Sequence, residues 1–379
     1  MDMSLFPTNY SINLSQNVNN WTGSSVARSE RENYNRKSRM IALVVLFFLS
    51  FVGNLIVIKT ISCSWVGKQR KGRRVHMLFI NLAMADLSVS LLTVLSQILW
   101  ESLGSEWLAG DLSCRLVKVA QIFGLTASSN MVVIIALERQ HAIANPLAIP
   151  LSVTKICAAS WICAVLFSVP QAFVFRETKL NSGTQCLGIF DNLPKWHFQL
   201  YIIYGAMVVF FVPFCILCFA YARILCIIWK TEKKPKREKV VSNSTTTGTQ
   251  FHLNPTNSSL PKAKVKTLKM TLMIILLFII CGLPYFVVEM KFAFGNVSAL
   301  DQDVTAVLGI FVVSNSAANP IIYLFFNSKK SVKAVCTCGT EEQKEGGSSR
   351  ATSFSLMQKN SGQSIAFIEV DPISKTECS

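Results

Sequence analysis

Lys118 and Gln121 lie three residues apart in CRLVKVAQIFGLTASSN (Cys114 to Asn130), a run otherwise apolar enough to cross a bilayer. On a helix that spacing puts them on one face. An ammonium group in hydrocarbon is costly unless it meets water, a partner or a ligand. Other polar groups fall at comparable places in neighbouring apolar runs: Gln97, Trp100 and Glu101, Gln171 beside Pro170, and Glu289 five residues after Pro284. Amides, carboxylates, an indole and one ammonium suit hydrogen bonding to a polar partner, and are expensive without one. The plainer alternative for Lys118 is a snorkelling side chain paired with Glu101 or with lipid headgroups. Catalytic chemistry finds no foothold. His76, His141, His197 and His252 are scattered, and the sequence has no metal-ligand cluster, Walker loop, dinucleotide fingerprint or nucleophile elbow.

The elements that carry these residues are long apolar blocks. A spanning helix needs roughly 20 mostly apolar residues. Seven blocks qualify, at about 40–63, 76–99, 113–137, 155–175, 198–229, 270–293 and 304–326. A chain that is 51% hydrophobic with a mean hydropathy of +0.41 fits such blocks better than the alternating faces of a large soluble α-protein. Spanning β-strands would be shorter and strictly alternating.

The net charge of +16 is no nucleic-acid signature, because the basic residues flank the blocks. Lys68, Arg70, Lys71, Arg73 and Arg74 fill the first loop, while Lys230, Lys233, Lys234, Lys236, Arg237 and Lys239, then Lys262, Lys264, Lys266 and Lys269, bracket the loop between blocks five and six. The positive-inside rule makes these loops cytoplasmic, with the N-terminus outside and the C-terminus inside. Arg36, Lys37 and Arg39, at the outer end of the first block, run against that rule but are outnumbered. Glycosylation sequons at Asn9, Asn13, Asn20 and Asn296 fall on the expected outer side; those at Asn243 and Asn257 lie in the long inner loop and are expected to stay bare. Residues 1–39 contain no apolar h-region, so the first helix is expected to act as the export signal. Of twelve cysteines, Cys157, Cys163, Cys215, Cys218, Cys226 and Cys281 lie inside blocks as small apolar packers. Cys114 and Cys186 are the two on the oxidising side, and a disulfide between them is expected. Cys336 and Cys338, just past Lys329, Lys330 and Lys333, suit palmitoylation of a short helix on the inner leaflet.

Motifs now accumulate in order: Gly53-Asn54, NLAMAD ending in Asp86, Glu138-Arg139-Gln140 followed by Pro146-Leu147, Trp161 and Pro170, Pro213 and Tyr221, Phe278 with Cys281-Gly282-Leu283-Pro284, and NPIIY from Asn319 through Pro320 to Tyr323. In nearly every helix the sequence resembles the rhodopsin-like G-protein-coupled receptors. Cys114 and Arg139 are 25 residues apart, which is about 37 Å of helix and enough to cross the bilayer. The fold class expected is an all-α membrane protein, a seven-transmembrane helix bundle with a short amphipathic eighth helix. Its divisions are a glycosylated outer tail (1–39), the receptor domain (40–327, with a disordered loop at 230–264), the eighth helix (328–338) and a disordered cytoplasmic tail (339–379). The location expected is the plasma membrane.

The resemblance implies roles. Arg139 would pair with Glu138 at rest, then meet the G protein and Tyr221 when active; an ordinary snorkelling arginine is the alternative. Asp86, with Ser128, Asn315, Ser316 and Asn319, would form a pocket for an allosteric sodium ion, or else a plain hydrogen-bonded cluster. No other cofactor is expected. Two departures stand out: Gln140 where the family usually has tyrosine, and Gly282 where most members place a tryptophan that responds to ligand. Phe278, Tyr285 and Phe286 are the groups expected to transmit in its stead, and glycine there loosens the bend at Pro284.

A biogenic-amine receptor would carry a carboxylate at Gln121, and an opsin a lysine within the seventh block; neither is present. Lysine among neutral amides suits a ligand rich in carbonyls and amides, hence a peptide. QILWE (Gln97–Glu101), CRLVKVAQIFG (Cys114–Gly124) and VPQAFVF (Val169–Phe175) resemble the vasopressin/oxytocin receptor family, whose ring of glutamines and one lysine surrounds a cyclic nonapeptide. Gln97, Lys118, Gln121 and Gln171 match that ring. Glu289 stands where that family has glutamine, which favours a more basic ligand, and Arg31 corresponds loosely to a peptide-contacting arginine. WLAGDLSC (Trp107–Cys114) instead resembles receptors for gonadotropin-releasing and adipokinetic hormones, the runner-up class. A transporter or a non-signalling peptide trap is the alternative of another kind. The partners implied are an extracellular peptide, a heterotrimeric G protein (mainly Gq), arrestin, a receptor kinase acting on the serine-rich tail, and membrane lipid, with no nucleic acid.

Overall fold

The computed structural model describes residues 22–63, 70–103, 106–145, 152–180, 183–232, 262–295 and 307–327. Seven of its helices are long and apolar enough to span a membrane. We label them α1 (Thr22–Cys63), α2 (Arg70–Ser88, continuing through Val89–Val94 into Leu95–Ser102), α3 (Asp111–Ala144), α4 (Val153–Ser168), α5 (Lys195–Ala206, through Met207–Phe211 into Val212–Glu232), α6 (Lys262–Phe294) and α7 (Val307–Asn327). Five contain the apolar block read from the sequence, and most run past it, because a helix continues beyond the hydrocarbon wherever nothing breaks it; the end of the fourth block, 169–175, passes into a further turn and a strand beyond α4, and residues 304–306 of the seventh lie outside the described residues. The first starts at Thr22, well before residue 40: Ser24 to Arg39 contains neither proline nor glycine, so the helix is not interrupted there. The eighth helix, with Cys336 and Cys338, lies outside the described residues, as do Asn9, Asn13, Asn20 and Asn296.

α3 is the most buried span and forms the axis of the bundle. Small residues let its neighbours close in. A Cβ at Gly124 would sit 3.2–3.3 Å from the backbone of Ser88 and Val89, and one at Gly53 would lie 2.9 Å from the Pro320 ring, so α2 packs on α3 and α1 on α7 at near backbone contact. Trp161 donates its indole N–H to the Asn81 side chain at 3.2 Å, joining α4 to α2.

Two features have no counterpart in the apolar pattern. α2 and α5 each contain a π-helical turn, Val89–Val94 and Met207–Phe211, which adds a residue and rotates every side chain above it. After a last helical turn, Gln171–Val174, the chain forms an antiparallel hairpin, β1 (Phe175–Leu180) with β2 (Gly183–Gly188). Gly183 takes φ 125, which a side chain would resist, to reverse the chain between them. Cys186 in β2 is bonded to Cys114 at the start of α3, Cα to Cα 5.6 Å, as expected. Further ties fix the hairpin: the Asp111 carboxylate accepts from the Glu177 amide (2.9 Å) and pairs with Arg115 (2.6 Å), and the Trp107 amide donates to Thr184 (2.7 Å).

Candidate functional site

The hairpin brings Phe175, almost fully buried, beside the first turns of α3. There the Lys118 ammonium lies 5.0 Å from the Phe175 ring centre and 5.3 Å from that of Trp100, between two aromatic faces. A ring presents its negative face to a cation, so the pair holds the ammonium at modest desolvation cost. Trp100 itself leans on Trp107, ring centres 5.2 Å apart. The three-residue spacing places Gln121 one turn deeper. It is 4% exposed, its amide donates to the Ser96 hydroxyl at 2.9 Å, and its backbone carbonyl accepts from Thr93 at 3.2 Å. Lys118 and Gln121 are thus turned toward α2 and the hairpin.

Gln171 is fully buried, and its carbonyl oxygen accepts the Tyr201 hydroxyl of α5. Its amide nitrogen, equally buried, has no hydrogen-bond acceptor among the described residues. Tyr201 sits edge-on to Phe175, ring centres 6.3 Å apart. Glu289, Tyr285 and Phe286 are all buried. Gln97 is half-buried on α2, and Arg31 lies on the extension of α1.

Glu101 meets a basic residue of α1. Its carboxylate, 4% exposed, lies 3.8 Å from Arg39 of α1. That pairing also accounts for one of the basic residues that contradicted the positive-inside reading: Arg39 is held by a buried acid. Arg39, Tyr201, Phe175 and Trp107 were all missed as site residues, since only the hairpin and the helix packing bring them there.

Deeper in the bundle, Asp86 is fully buried and accepts from Ser128 (2.6 Å) and Asn319 (2.9 Å). Beside it Ser90 donates to Ser50 at 2.7 Å, and Asn54 donates to the Ser316 carbonyl at 3.2 Å, so hydroxyls and amides join α1, α2 and α7. Ser316 spends its own hydroxyl proton on Val313 (2.8 Å). The side-chain carbonyl oxygens of Asn315 and Asn319 are buried with no donor among the described residues. Carboxylate, hydroxyl and free amide oxygens are hard donors that fit a small hard cation such as sodium. Toward the far end of α3 from Lys118, Arg139 pairs with Glu138, and Tyr221 is half-buried on α5. Tyr323 packs on Phe79, ring centres 5.2 Å apart.

Residues 53–323 match the family model described as 7 transmembrane receptor (rhodopsin family). The chain belongs to that family. Among relatives of this receptor, the mouse protein named "Probable G-protein coupled receptor 150" is 36% identical over 76% of this chain and 70% of its own length. "Cephalotocin receptor 2" of Octopus vulgaris is 30% identical over 85% of this chain and 76% of its own. The "Gonadotropin-releasing hormone receptor" of the same octopus is 31% identical over 77% and 72%. The family is one of receptors rather than enzymes.

Proposed function

We propose that this receptor is activated by a vasopressin/oxytocin-like cyclic neuropeptide and signals through a heterotrimeric G protein, mainly Gq, to calcium. The observation that carries the reading is that Phe175 of the hairpin lies against both the Lys118 ammonium and Tyr201, the partner of buried Gln171, with Gln121 buried one turn beyond Lys118. A cyclic peptide presents many carbonyls and amide N–H groups. Lys118 would donate to a peptide carbonyl, and the free Gln171 amide would donate to another. Glu289 would accept from a basic group on the ligand. The cephalotocin relative agrees with this class, while the gonadotropin-releasing-hormone relative gives the runner-up the same order of similarity.

In this reading the N-terminus is extracellular and the receptor sits in the plasma membrane. Arg139 paired with Glu138 is the resting arrangement, and activation frees the guanidinium for the G protein and Tyr221. A sodium ion held by Asp86, Ser128, Asn315 and Asn319 would supply a positive charge that stabilises the resting packing; the hydroxyl of Ser316 lies next to that set. Glycans at the outer sequons, palmitate at Cys336 and Cys338, and phosphorylation of the tail by a receptor kinase for arrestin complete the proposal.

The test is nucleotide exchange on added G protein, with intracellular calcium in parallel. Vasopressin/oxytocin-like nonapeptides are applied alongside gonadotropin-releasing and adipokinetic peptides. A nonapeptide response at low concentration bears the reading out. A response to the second set alone moves the receptor to the neighbouring class, and binding without exchange makes it a peptide trap.

A further inference from the structure

Gln121 and Gln171 are both buried, and hydroxyl groups hold them in opposite senses. Gln171 spends its carbonyl oxygen on the Tyr201 hydroxyl, which leaves the amide nitrogen, with no acceptor among the described residues. Gln121 spends its amide N–H on Ser96 at 2.9 Å, which leaves the carbonyl oxygen as its unspent end. A hydroxyl carries one proton and two lone pairs. The Ser96 proton is committed to the backbone of its own helix, with the Leu92 carbonyl at 2.6 Å and the Thr93 carbonyl at 3.0 Å. Toward Gln121 it therefore offers a lone pair, and only the nitrogen end of the amide can meet one. The amide group is planar, so fixing its nitrogen fixes its oxygen too.

α2 is shaped for this grip. Thr93 lies in the π-helical turn Val89–Val94 and donates to the Gln121 backbone carbonyl at 3.2 Å. Ser96, three residues on, shares that face and takes the side chain. Without the extra residue of the turn, Ser96 would be rotated by about 100° away from α3. One turn further along α3 from Gln121, the near backbone contact of Gly124 with Ser88 and Val89 holds the two helices together and keeps both hydroxyls within reach.

We infer that Ser96 is a positioning residue that locks Gln121 as a hydrogen-bond acceptor, so that the site selects a peptide offering a backbone N–H at that point. Lys118 and the Gln171 amide are donors and take carbonyls; Gln121, one turn from Lys118, takes the N–H. A peptide backbone carries both groups and can satisfy both senses at once. Proline has no N–H and is excluded from the ligand residue that meets Gln121. An unlocked amide would turn over to suit either group and would not discriminate. This role for Ser96 rests on the ligand being a peptide, as proposed above, but not on which peptide class it is.

The test is an ester scan of the ligand. Each backbone N–H is replaced in turn by an ester oxygen, and the affinity of each analogue relative to the parent is measured by competition binding on membranes bearing the full-length receptor. The parent is whichever of the vasopressin/oxytocin-like, gonadotropin-releasing and adipokinetic peptides binds saturably. In the wild type one analogue should bind about tenfold weaker, since a hydrogen bond is lost and two oxygens are set facing each other. That deficit should persist in Ser96→Thr, which keeps the hydroxyl, and fall to about twofold or less in Ser96→Ala and in Gln121→Met. Ser96→Cys, of similar volume and a weak acceptor, should behave as Ser96→Ala and serves where the alanine variant does not reach the surface. The ratio of analogue to parent cancels a general loss of affinity, so a merely structural Ser96 leaves it unchanged. An unchanged ratio at every position in Ser96→Ala and Ser96→Cys overturns the inference, as does a scan in which no deficit depends on Gln121. Failure of the nonapeptide with binding of another peptide sinks the class reading alone, because the scan on that peptide still decides the role of Ser96. Absence of binding by all three peptides sinks both.

Discussion

Lys118→Met keeps most of the side chain's length and removes its charge. In the proposed complex the ammonium donates to a peptide carbonyl, a charge-assisted hydrogen bond of about 1.5–3 kcal/mol. At 1.4 kcal/mol per tenfold, nonapeptide affinity should fall by about 10- to 150-fold. The two rings that hold the ammonium, 5.3 Å away at Trp100 and 5.0 Å at Phe175, contribute less, about 0.5–1 kcal/mol each at a half-buried lysine. Trp100→Leu alone should therefore cost about two- to fivefold. Its effect should vanish in the Lys118→Met background, because a ring has no cation left to position. Competition binding with a labelled vasopressin/oxytocin-like nonapeptide, on membranes matched for surface receptor, gives all four affinities. Trp107→Leu controls for loss of the ring behind Trp100. Unchanged affinity in Lys118→Met, or an equal loss from Trp100→Leu in both backgrounds, would refute the reasoning: the lysine would then be a snorkelling side chain.

Glu289→Gln keeps the shape and removes the charge, so binding of a lysine- or arginine-containing nonapeptide should weaken about tenfold or more while a neutral analogue is little affected. Equal losses for the two peptides would remove Glu289 from ligand selection. Replacing choline with sodium at constant ionic strength should raise the melting temperature of the ligand-free receptor, by about 3 °C per kcal/mol of ion binding. Asp86→Asn should abolish that sodium dependence; retention of it would place the ion elsewhere or nowhere. Cys186→Ser unties the hairpin from α3 across 72 residues of sequence and should destabilise the receptor by about 2–4 kcal/mol, read as lost surface expression and a lower melting temperature. Wild-type expression and peptide affinity in that variant would mean that the Asp111 and Trp107 contacts hold the lid unaided.

The seven spans were legible because hydrocarbon demands long apolar runs, and a run long enough to cross reads the same in any context. Cys114 and Cys186 were legible because the expected topology leaves those two cysteines on the oxidising side, and the disulfide joins them. Lys118 and Gln121 could be placed on one face from their spacing alone. What surrounds them could not be read. Phe175 reaches Lys118 only because β1 turns back across α3, and no periodicity in FRETKL announces a lid. Arg39 looked like a violation of charge topology, since its partner Glu101 is in another helix 62 residues away. The π-helical turns left no trace in the pattern either: VSLLTV and MVVFF read as ordinary helix, yet one of them aims Phe210 at Gly282. Gly282 was visible as an oddity, and only the packing supplied the ring that fills it.

The measurement closest to the central claim is saturation binding of a labelled vasopressin/oxytocin-like nonapeptide to membranes bearing the full-length receptor, with gonadotropin-releasing and adipokinetic peptides as competitors. The account predicts saturable nanomolar binding, displaced by unlabelled nonapeptide, not displaced by the other peptides, and lost in Lys118→Met. No saturable nonapeptide binding by receptor present at the surface, with saturable binding of one of the other peptides in its place, would contradict it.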